Sequence, residues 1–495
     1  MNEDDQPLFS SSININYDMR FVRVAQDFVE NLSALAGANE AERLKISLLV
    51  EECLVFIIDK YIDCRTAAHI QICFMVFGDK KICLEITDIG PPIHESMIPS
   101  FDITDENSEA GLWYKVAREL ADEFAFVNQY RAGWLVRIGK RIEAVTFGAG
   151  GEAGGKAAVG REQTFGEKHL RPAKVADIPA LIDLAYLTYR YTYEQDFYDE
   201  VTLKRYIEEK LYDITVVEHG SKVIGAYAMK YSDAAHSSAE LGSAMISPEY
   251  RSASAGALIL REISGYVQAN PYDCAFFMST AVTSHARSQR MLARVHNGFK
   301  PLNLCLNMLL PPEFIGINDR AGGRESLLFV YHLNHALRAG RLYATAAKHL
   351  PITSELLAQT GSDIEVRAEF AEPETLESQI SIRRFDSQRF AIISIESLGK
   401  DWFTALGKAI FSAIVAGVES VKVAIPASTP LPHDMETKLS GLNLVFCGLS
   451  LRSLEKVDHV YCLTTKPVDF GQIKLHDPVA QKLLAHIEQT LLLLT

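Results

Sequence analysis

The sequence predicts a multidomain protein of mixed α+β and α/β class, and three observations predict it. Its 495 residues exceed what one hydrophobic core serves and divide into about three domains at roughly 150 residues each. Hydrophobic residues at 48% against 23% charged are the proportions of a folded soluble chain, neither disordered nor fibrous. Strand-like alternation and apolar residues at helical spacing follow one another on both sides of a glycine-rich stretch at 147–160.

The balance of charge excludes whole classes of partner. Lys and Arg number 49 and Asp and Glu 63, a net charge of −14, so no overall positive field draws nucleic acid or an anionic membrane. No apolar run approaches the roughly 18 residues that cross a bilayer, and the opening MNEDDQPLFS carries acids where a secretory signal carries base. The expected location is the cytoplasm. The 8 cysteines, at 53, 64, 73, 83, 274, 305, 447 and 462, form no C-x-x-C pair, and several lie in strand-like runs such as ICFMVF. They read as reduced core thiols, and no metal site is expected.

The stretch FGAGGEAGGKAAVG (147–160) has too little apolar surface to offset the entropy of ordering, so it reads as a flexible linker. Within it, Gly150 to Ala157 falls one residue short of the phosphate-loop pattern G-x-x-x-x-G-K-[ST]. Ala157 lacks the hydroxyl that would meet magnesium, and no helical period follows. The linker, taken as 147–165, separates a first domain (1–146) from a second (166–340), which passes into a third (341–495).

In the first domain, DMRFVRVAQDFVENLSALAG and ANEAERLKISLLVEECLVFIIDKY read as two helices over 17–60. Strands follow at 69–77 and 82–87, then a loop, a helix near 110–123, and strands near 124–128 and 133–139, a two-layer α/β sandwich. With E-E-C-L-V-F on the second helix, D-I-G-P-P-I after a strand and E-A-G-L-W-Y opening a later helix, this order resembles the GHKL (histidine-kinase-like) ATPase fold over about residues 10–143. It looks nearest to the anti-sigma serine kinases of bacterial stress switches. The resemblance puts Glu52 at the base position, Asp88 and Gly90 at the adenine position, and Gly111 and Leu112 at the end of the phosphate lid.

Departures from that pattern matter more. Phe56 stands four residues after Glu52, where the family has a magnesium-binding Asn, and a hard cation wants oxygen. The lid keeps one glycine, so fewer amides curl onto phosphates. Binding of ATP or ADP is expected to be weak at most, with hydrolysis or kinase action disfavoured. The run Asp88-Ile-Gly90-Pro-Pro also suits a plain strand-ending turn, and Val55 and Phe56 suit a packed core helix.

In the second domain, HLRPAKVADIPALIDLAYLTYRYTY reads as a strand and an amphipathic helix, and TVVEHGSKVIGAYAMKY as two paired strands turning at His219-Gly220-Ser221. Then SSAELGSAMISPEYRSASAGALILREISGYV supplies a strand, a bend, a small-residue loop and a helix. Pro248, Arg251, Ser254 and Gly256 fall on P-x-x-R-x-x-G-x-G/A, and NGFKP (297–301) supplies a later G-F, so about 168–335 resembles the GNAT acyltransferase fold.

That resemblance implies an acyl-CoA, acetyl-CoA first among them, held by Ile246, Arg251, Ser252, Ala253, Ser254, Ala255, Gly256 and Ala257. Small residues and a helix N-terminus let amides approach the pyrophosphate. It also implies Glu240 as the base or water-holding carboxylate, with Thr283, His285, Ser288 and Gln289 lining the cleft. Arg294 stands where the family's thiolate-protonating Tyr is found. Protonation would then fall to solvent, Tyr250, His285 or Ser288. As residues alone, Glu240 also suits a solvent-facing strand carboxylate, and His285 a loop or capping histidine.

From Gln379 the third domain repeats the feel of half an acyltransferase but has no R-x-x-G-x-G, since VAIPASTPLPHD puts prolines where phosphate-binding amides belong. It reads as a degenerate GNAT-like module that shapes the cleft or forms a homodimer, with Trp402 and the LLLL tail in its core. The leading expectation is an acyl-CoA-dependent N-acyltransferase coupled to an ATPase-derived sensor in a bacterial signalling protein. Its acceptor is an unidentified amine, small molecule or protein Lys or N-terminus, and a regulatory protein is a further expected partner. The alternative is a non-catalytic regulator in which both folds survive as ligand sensors or partner docks. A kinase of an anti-anti-sigma partner is the third reading, disfavoured by Phe56.

Overall fold

A computed structural model describes residues 7–61, 69–78, 80–90, 98, 112–143, 168–250, 253–311 and 323–492. The expected linker at 147–165 and lid residue Gly111 lie outside them, as do Arg251 and Ser252. The chain forms two compact units, Met1–Gly166 with Ala176–Leu203, and Glu167–Val175 with Lys204–Thr495. Among the described residues no helix is long and apolar enough to cross a membrane.

Unit one packs helices α1 (Val22–Ala36), α2 (Glu40–Tyr61) and α3 (Leu112–Leu120) against five strands. These are β1 (Phe9–Asn16), β2 (His69–Phe77), β3 (Lys81–Asp88), β4 (Glu123–Asn128) and β5 (Trp134–Arg141), in the order β1-β2-β3-β5-β4 with every neighbour antiparallel. The helix boundary is written in local chemistry. Gly37 takes a left-handed φ of 93° and returns its amide to Ala34. Asn39 and Glu42 then bond reciprocally, Asn39 N to Glu42 Oε2 at 2.7 Å and Glu42 N to Asn39 Oδ1 at 2.9 Å, a capping box that starts α2. Ile46, Leu49, Val50, Leu54 and Ile57 of α2 meet the inward residues of β2 and β3 in one core. β1 was not anticipated, because FSSSININ is serine-rich and alternates only weakly. Its backbone pairs with β2 from Phe9↔Val76 to Asn16↔His69. The unit also holds α4 (Ile178–Tyr189).

Unit two is built on one twelve-stranded sheet. Its first part runs β6 (Lys168–Pro172), the end of α5 (Glu200–Glu208) from Lys204, β7 (Tyr212–His219), β8 (Lys222–Tyr231), β9 (Ala239–Ile246), α6 (Ala253–Ala269), β10 (Phe276–Val282), α7 (Arg287–Leu292), β11 (Lys300–Leu309) and β12 (Glu325–Leu333). β13 (Arg341–Tyr343), α8 (Leu350–Ala358) and β14 (Glu365–Arg367) follow. The second part runs β15 (Gln379–Phe385), β16 (Phe390–Ser397), α9 (Trp402–Val415), β17 (Ser420–Pro426), α10 (Met435–Gly441), β18 (Val445–Leu451), β19 (Val457–Thr464) and α11 (Pro478–Leu492). The sheet order is β15-β16-β17-β19-β18-β11-β12-β10-β9-β8-β7-β6.

Read outward from the β11–β18 pair, the two parts repeat one another. Each has a parallel pair flanking a helix (β9 and β10 around α6, β16 and β17 around α9), then antiparallel neighbours in the same chain order. At the seam Asn303 lies opposite Gly448, whose φ is 113° and whose missing β-carbon would fall 2.2 Å from the Leu302 carbonyl oxygen. Only glycine permits that approach. Asn303, fully buried, donates its Nδ2 to Leu449 O at 2.7 Å. One hydrophobic core runs from Val217 to Ile487 through both parts and includes Trp402. The boundary expected at 340/341 falls inside this unit.

Candidate functional site

The site begins where two strands part. β9 and β10 pair in parallel at Ala239, Glu240 and Leu241, and from Gly242 onward the two strands part. Ser279 Oγ donates to Leu241 O at 2.7 Å and pins the fork at its last paired residue. On the other edge of β9 the register with β8 slips between Ala226↔Met245 and Ala228↔Gly242, and Ser243 takes a φ of 56°. A bulge of this kind bends a strand and turns its backbone groups away from the ladder.

Beyond the fork, Ala253, Ser254, Ala255 and Gly256 form the first turn of α6, so the small-residue segment read as a loop is helical from Ala253. The first four amides of a helix have no partner within it and carry partial positive charge. A β-carbon placed on Gly256 would meet no atom within 4 Å. Nothing in the protein itself requires glycine there. Between α6 and α7 lies a cavity of about 360 Å³, with Gly256, Ala257 and Leu260 on one side and Arg287, Arg290 and Arg294 on the other.

Glu240 lies on β9 directly across from Lys230 on β8, with Oε1 3.9 Å from the nearly buried Nζ and its own side chain part-exposed. The turn after β10 is fixed by Glu325, which accepts from Thr283 N at 2.7 Å, Ser284 N at 2.9 Å and Thr283 Oγ1 at 3.1 Å. His285, part-buried, accepts a long 3.4 Å contact from Arg287 N at Nδ1. Ser288 Oγ is buried with no hydrogen-bond partner among the described residues. Gln289 is a clamp. Its Nε2 donates to Val282 O at 3.0 Å and Lys474 O at 2.8 Å, and its Oε1 accepts from His476 N at 2.9 Å. Tyr250 packs edge-on to His219 with Lys222 over its ring. Sequence reading singled out neither Lys230 nor the face of three arginines, although Arg287, Arg290 and Arg294 stand at helical spacing in the chain.

The second part of the unit has the same parallel pair and closes the equivalent place with its own chain. Gly399 N donates to Ser378 Oγ at 2.9 Å, Lys400 N to Thr375 O at 2.9 Å and Asp401 N to Leu376 O at 3.3 Å. A β-carbon on Gly399 would fall 2.3 Å from the Glu377 carbonyl carbon. Amides ahead of α9 are thus committed to residues 375–378.

In unit one, Glu52 is part-buried, and burial together with Glu51 raises its carboxyl above the usual range. One turn on, the Phe56 ring stacks on Trp113 at 3.9 Å between centroids, within an aromatic group that includes Tyr114 and Phe126. Asp88 ends β3, buried, and its Oδ1 accepts from Gly90 N at 2.6 Å and Tyr17 Oη at 3.3 Å. Tyr186 of α4 donates to Ile89 O at 2.7 Å and Tyr191 to Gly90 O at 2.8 Å. Burial, then the nearby Asp88 carboxylate, push the Tyr191 phenol well up, so it stays a donor. The Asp88–Gly90 turn is therefore bonded by three tyrosines of the chain itself. Leu112 opens α3.

No protein-family model matches the chain, and no curated protein matches it. Among solved structures it is similar to a ribosomal-protein-alanine N-acetyltransferase from Brucella melitensis, at 17% identity over 33% of this chain and 99% of that one, with a TM-score of 0.27. It is also similar to a dodecameric spermidine N-acetyltransferase from Vibrio cholerae, at 19% identity over 34% and 93%, with a TM-score of 0.27. A third is a GNAT family acetyltransferase from Elizabethkingia anophelis with acetyl-CoA bound, at 13% identity over 34% and 97%, with a TM-score of 0.25. TM-scores this low carry no argument by themselves, and the chemistry rests on the residues of the fork.

Proposed function

We propose that the first part of unit two is a GNAT-type N-acyltransferase that takes its acyl group from acetyl-CoA or another acyl-CoA, and that unit one is an ATPase-derived regulatory module. The observation that supports this most is the fork of β9 and β10 leading to an α6 whose fourth residue, Gly256, opens on a cavity with no need of its own for glycine. The edge of β9 that has parted from β10 offers backbone groups to the amide-bearing arm of the thioester, and the first turn of α6 offers amides to its pyrophosphate.

Transfer needs a neutral amine at the carbonyl carbon. The nitrogen attacks, the C–N bond forms, the C–S bond breaks, and the proton shed by nitrogen passes to Glu240, directly or through a water. The departing thiolate accepts a hydrogen bond from the otherwise unpartnered Ser288 hydroxyl and takes its proton from solvent, because Arg294 holds the place of a phenol and a guanidinium does not give up its proton. The acceptor is an amine, either a small molecule or a protein Lys or N-terminus.

Calorimetric titration of the full chain with acetyl-CoA, paired with thiol release against a panel of polyamines and peptide amines, tests this. Glu240→Gln should leave acetyl-CoA affinity within about twofold while lowering kcat by about 10²–10⁴. Loss of affinity in that variant, or no thiol release from wild type with any amine, would count against the enzyme. A specific observation favours the second reading, a non-catalytic sensor: Glu240 is paired with Lys230, so its lone pairs have a partner other than a substrate proton.

A further inference from the structure

Glu325, at the start of β12, is a buried carboxylate without a counter-charge. It is 3% exposed, and among the described residues no Lys, Arg or His pairs with it. Its three donors, Thr283 N, Ser284 N and Thr283 Oγ1, all converge on Oε1, so Oε2 has none. The cations nearby gather on another acid. Arg324, Arg389 and Lys466 reach Glu419 at 3.1, 3.0 and 3.6 Å, and Arg324 spends its other donors on the carbonyls of Asn307, Met308 and Gln388. A charge taken out of water in this way is costly unless something of opposite sign meets it.

Glu325 lines a cavity of about 50 Å³ where the two parts of unit two meet, with Ser284 and Asn307 on one side and Asp469 and Gln472 on the other. Asn307 lies in a bulge of β11, between Cys305↔Leu327 and Leu309↔Glu325, at a left-handed φ of 48°. Its amide donates to Ser326 Oγ at 3.0 Å, and its Nδ2 donates to Thr464 Oγ1, Lys466 O and Pro467 O, each at 3.1 Å. Those acceptors fix which way the side-chain amide lies. Oδ1 is left without a partner among the described residues, on a residue that is also 3% exposed, and Ser284 Oγ is left the same way. Three oxygens of one cavity therefore lack a donor. Water would fill their lone pairs and leave the charge of Glu325 uncompensated. A cation answers both.

We infer that this cavity binds one compact monovalent cation, an alkali ion such as potassium or the head of a primary ammonium, held by Glu325 Oε2, Asn307 Oδ1 and Ser284 Oγ. One carboxylate oxygen beside two neutral ones suits a single positive charge, whereas a calcium site gathers several carboxylates. Among the described residues no three His, Cys, Asp or Glu side chains come together as metal ligands. None of the three holding residues has a role in the acyl-CoA reading, and the inference stands apart from it. Because the walls come from both parts, a bound cation ties the turn after β10 to the segment after β19, so occupancy is read as stability.

The test is a series of melting curves of the full chain at constant ionic strength, in which tetramethylammonium chloride is replaced stepwise by potassium chloride or by methylammonium chloride. Tetramethylammonium has the same charge but four methyl groups and no N–H. Wild type should melt about 2–4 °C higher in at least one of the two small cations, with a shift that saturates as a single site does. Glu325→Gln keeps an oxygen for the three donors and removes the charge, so the shift should vanish. Ser284→Ala removes one oxygen and no charge, so the half-saturating concentration should rise about 2- to 10-fold. A response to potassium alone supports an inorganic ion, and a response to methylammonium alone supports an organic amine. Equal melting in all three salts overturns the inference, as does a shift that survives in Glu325→Gln. Where that variant does not fold, Ser284→Ala decides, and an unchanged half-saturating concentration overturns the inference.

Discussion

Gly256 separates two roles that a small residue can have. Because a β-carbon there meets nothing, Gly256→Val should change stability by no more than about 0.5 kcal/mol, valine being no worse than glycine in a helix. In the proposed acyl-CoA site the same methyls would stand in the path of the pyrophosphate, so acetyl-CoA affinity should fall by more than about tenfold. A matched pair of melting curves and titrations reads both. At Phe56 the expectation is reversed. Phe56→Asn introduces an oxygen ligand but removes a ring stacked on Trp113, so it should cost about 2–3 kcal/mol, less than a full-core loss because the ring is part-exposed, and bring no magnesium-dependent ATP turnover. The sequence showed an apolar ring at position 56, where the resemblance implies an Asn, since residue type is read directly. It could not show Tyr186 and Tyr191 on the Asp88 turn. Those phenols come from about a hundred residues downstream, and tyrosines look alike in a sequence whether they meet a carbonyl or a core.

Elements whose patterning is local were legible, and those made by pairing were not. β2 was read at 69–77, the residues it occupies, because its inward positions alternate strictly. The fork was invisible, because a strand's sequence does not say where its neighbour leaves it. Elements of the second part are joined by buried and part-buried histidines with a consequence for pH. His459 of β19 donates Nε2 to Tyr343 O at 2.7 Å, its Nδ1 has no hydrogen-bond partner among the described residues, and burial holds it down to about 4. His486 of α11 meets His349 at 2.8 Å, and burial, then His349, hold it also down to about 4. Both are neutral in the folded chain and take a proton more readily when unfolded, so their stabilisation is full above about pH 6.5 and is lost as pH falls toward 4. Glu436, held down to about 2 against its burial by hydrogen bonds from His349, Lys348 and Tyr461, adds its own loss below about pH 4.5. Unit two should therefore melt progressively lower between pH 6.5 and 4, by a free energy on the order of 3 kcal/mol for His459 alone. His459→Gln should flatten that slope in a pH series of melting curves, and an unchanged slope would assign the acid sensitivity elsewhere.

At the scale of the molecule, the decisive contact joins residues 146 apart, Asn303 Nδ2 to Leu449 O, across a seam that no local pattern announces. A division at 340/341 was a fair reading of two similar runs of elements, yet the strands on either side of it belong to one sheet and one core. Unit two should accordingly unfold in a single calorimetric transition. A fragment ending at residue 340 would leave β11 as an uncovered, apolar edge, prone to aggregation. Recovery of a monomeric, coenzyme-binding fragment would show that the second part is dispensable. The closed cradle ahead of α9 has a wider consequence. In an assembly of two identical chains every substitution is made twice, so neither copy can abandon a pocket without the other losing it too. Two repeats on one polypeptide escape that symmetry. One can fill its cleft with residues 375–378 and serve as scaffold, while the other stays open, and such a protein takes up one equivalent of ligand per chain where a twofold-symmetric pair would take two.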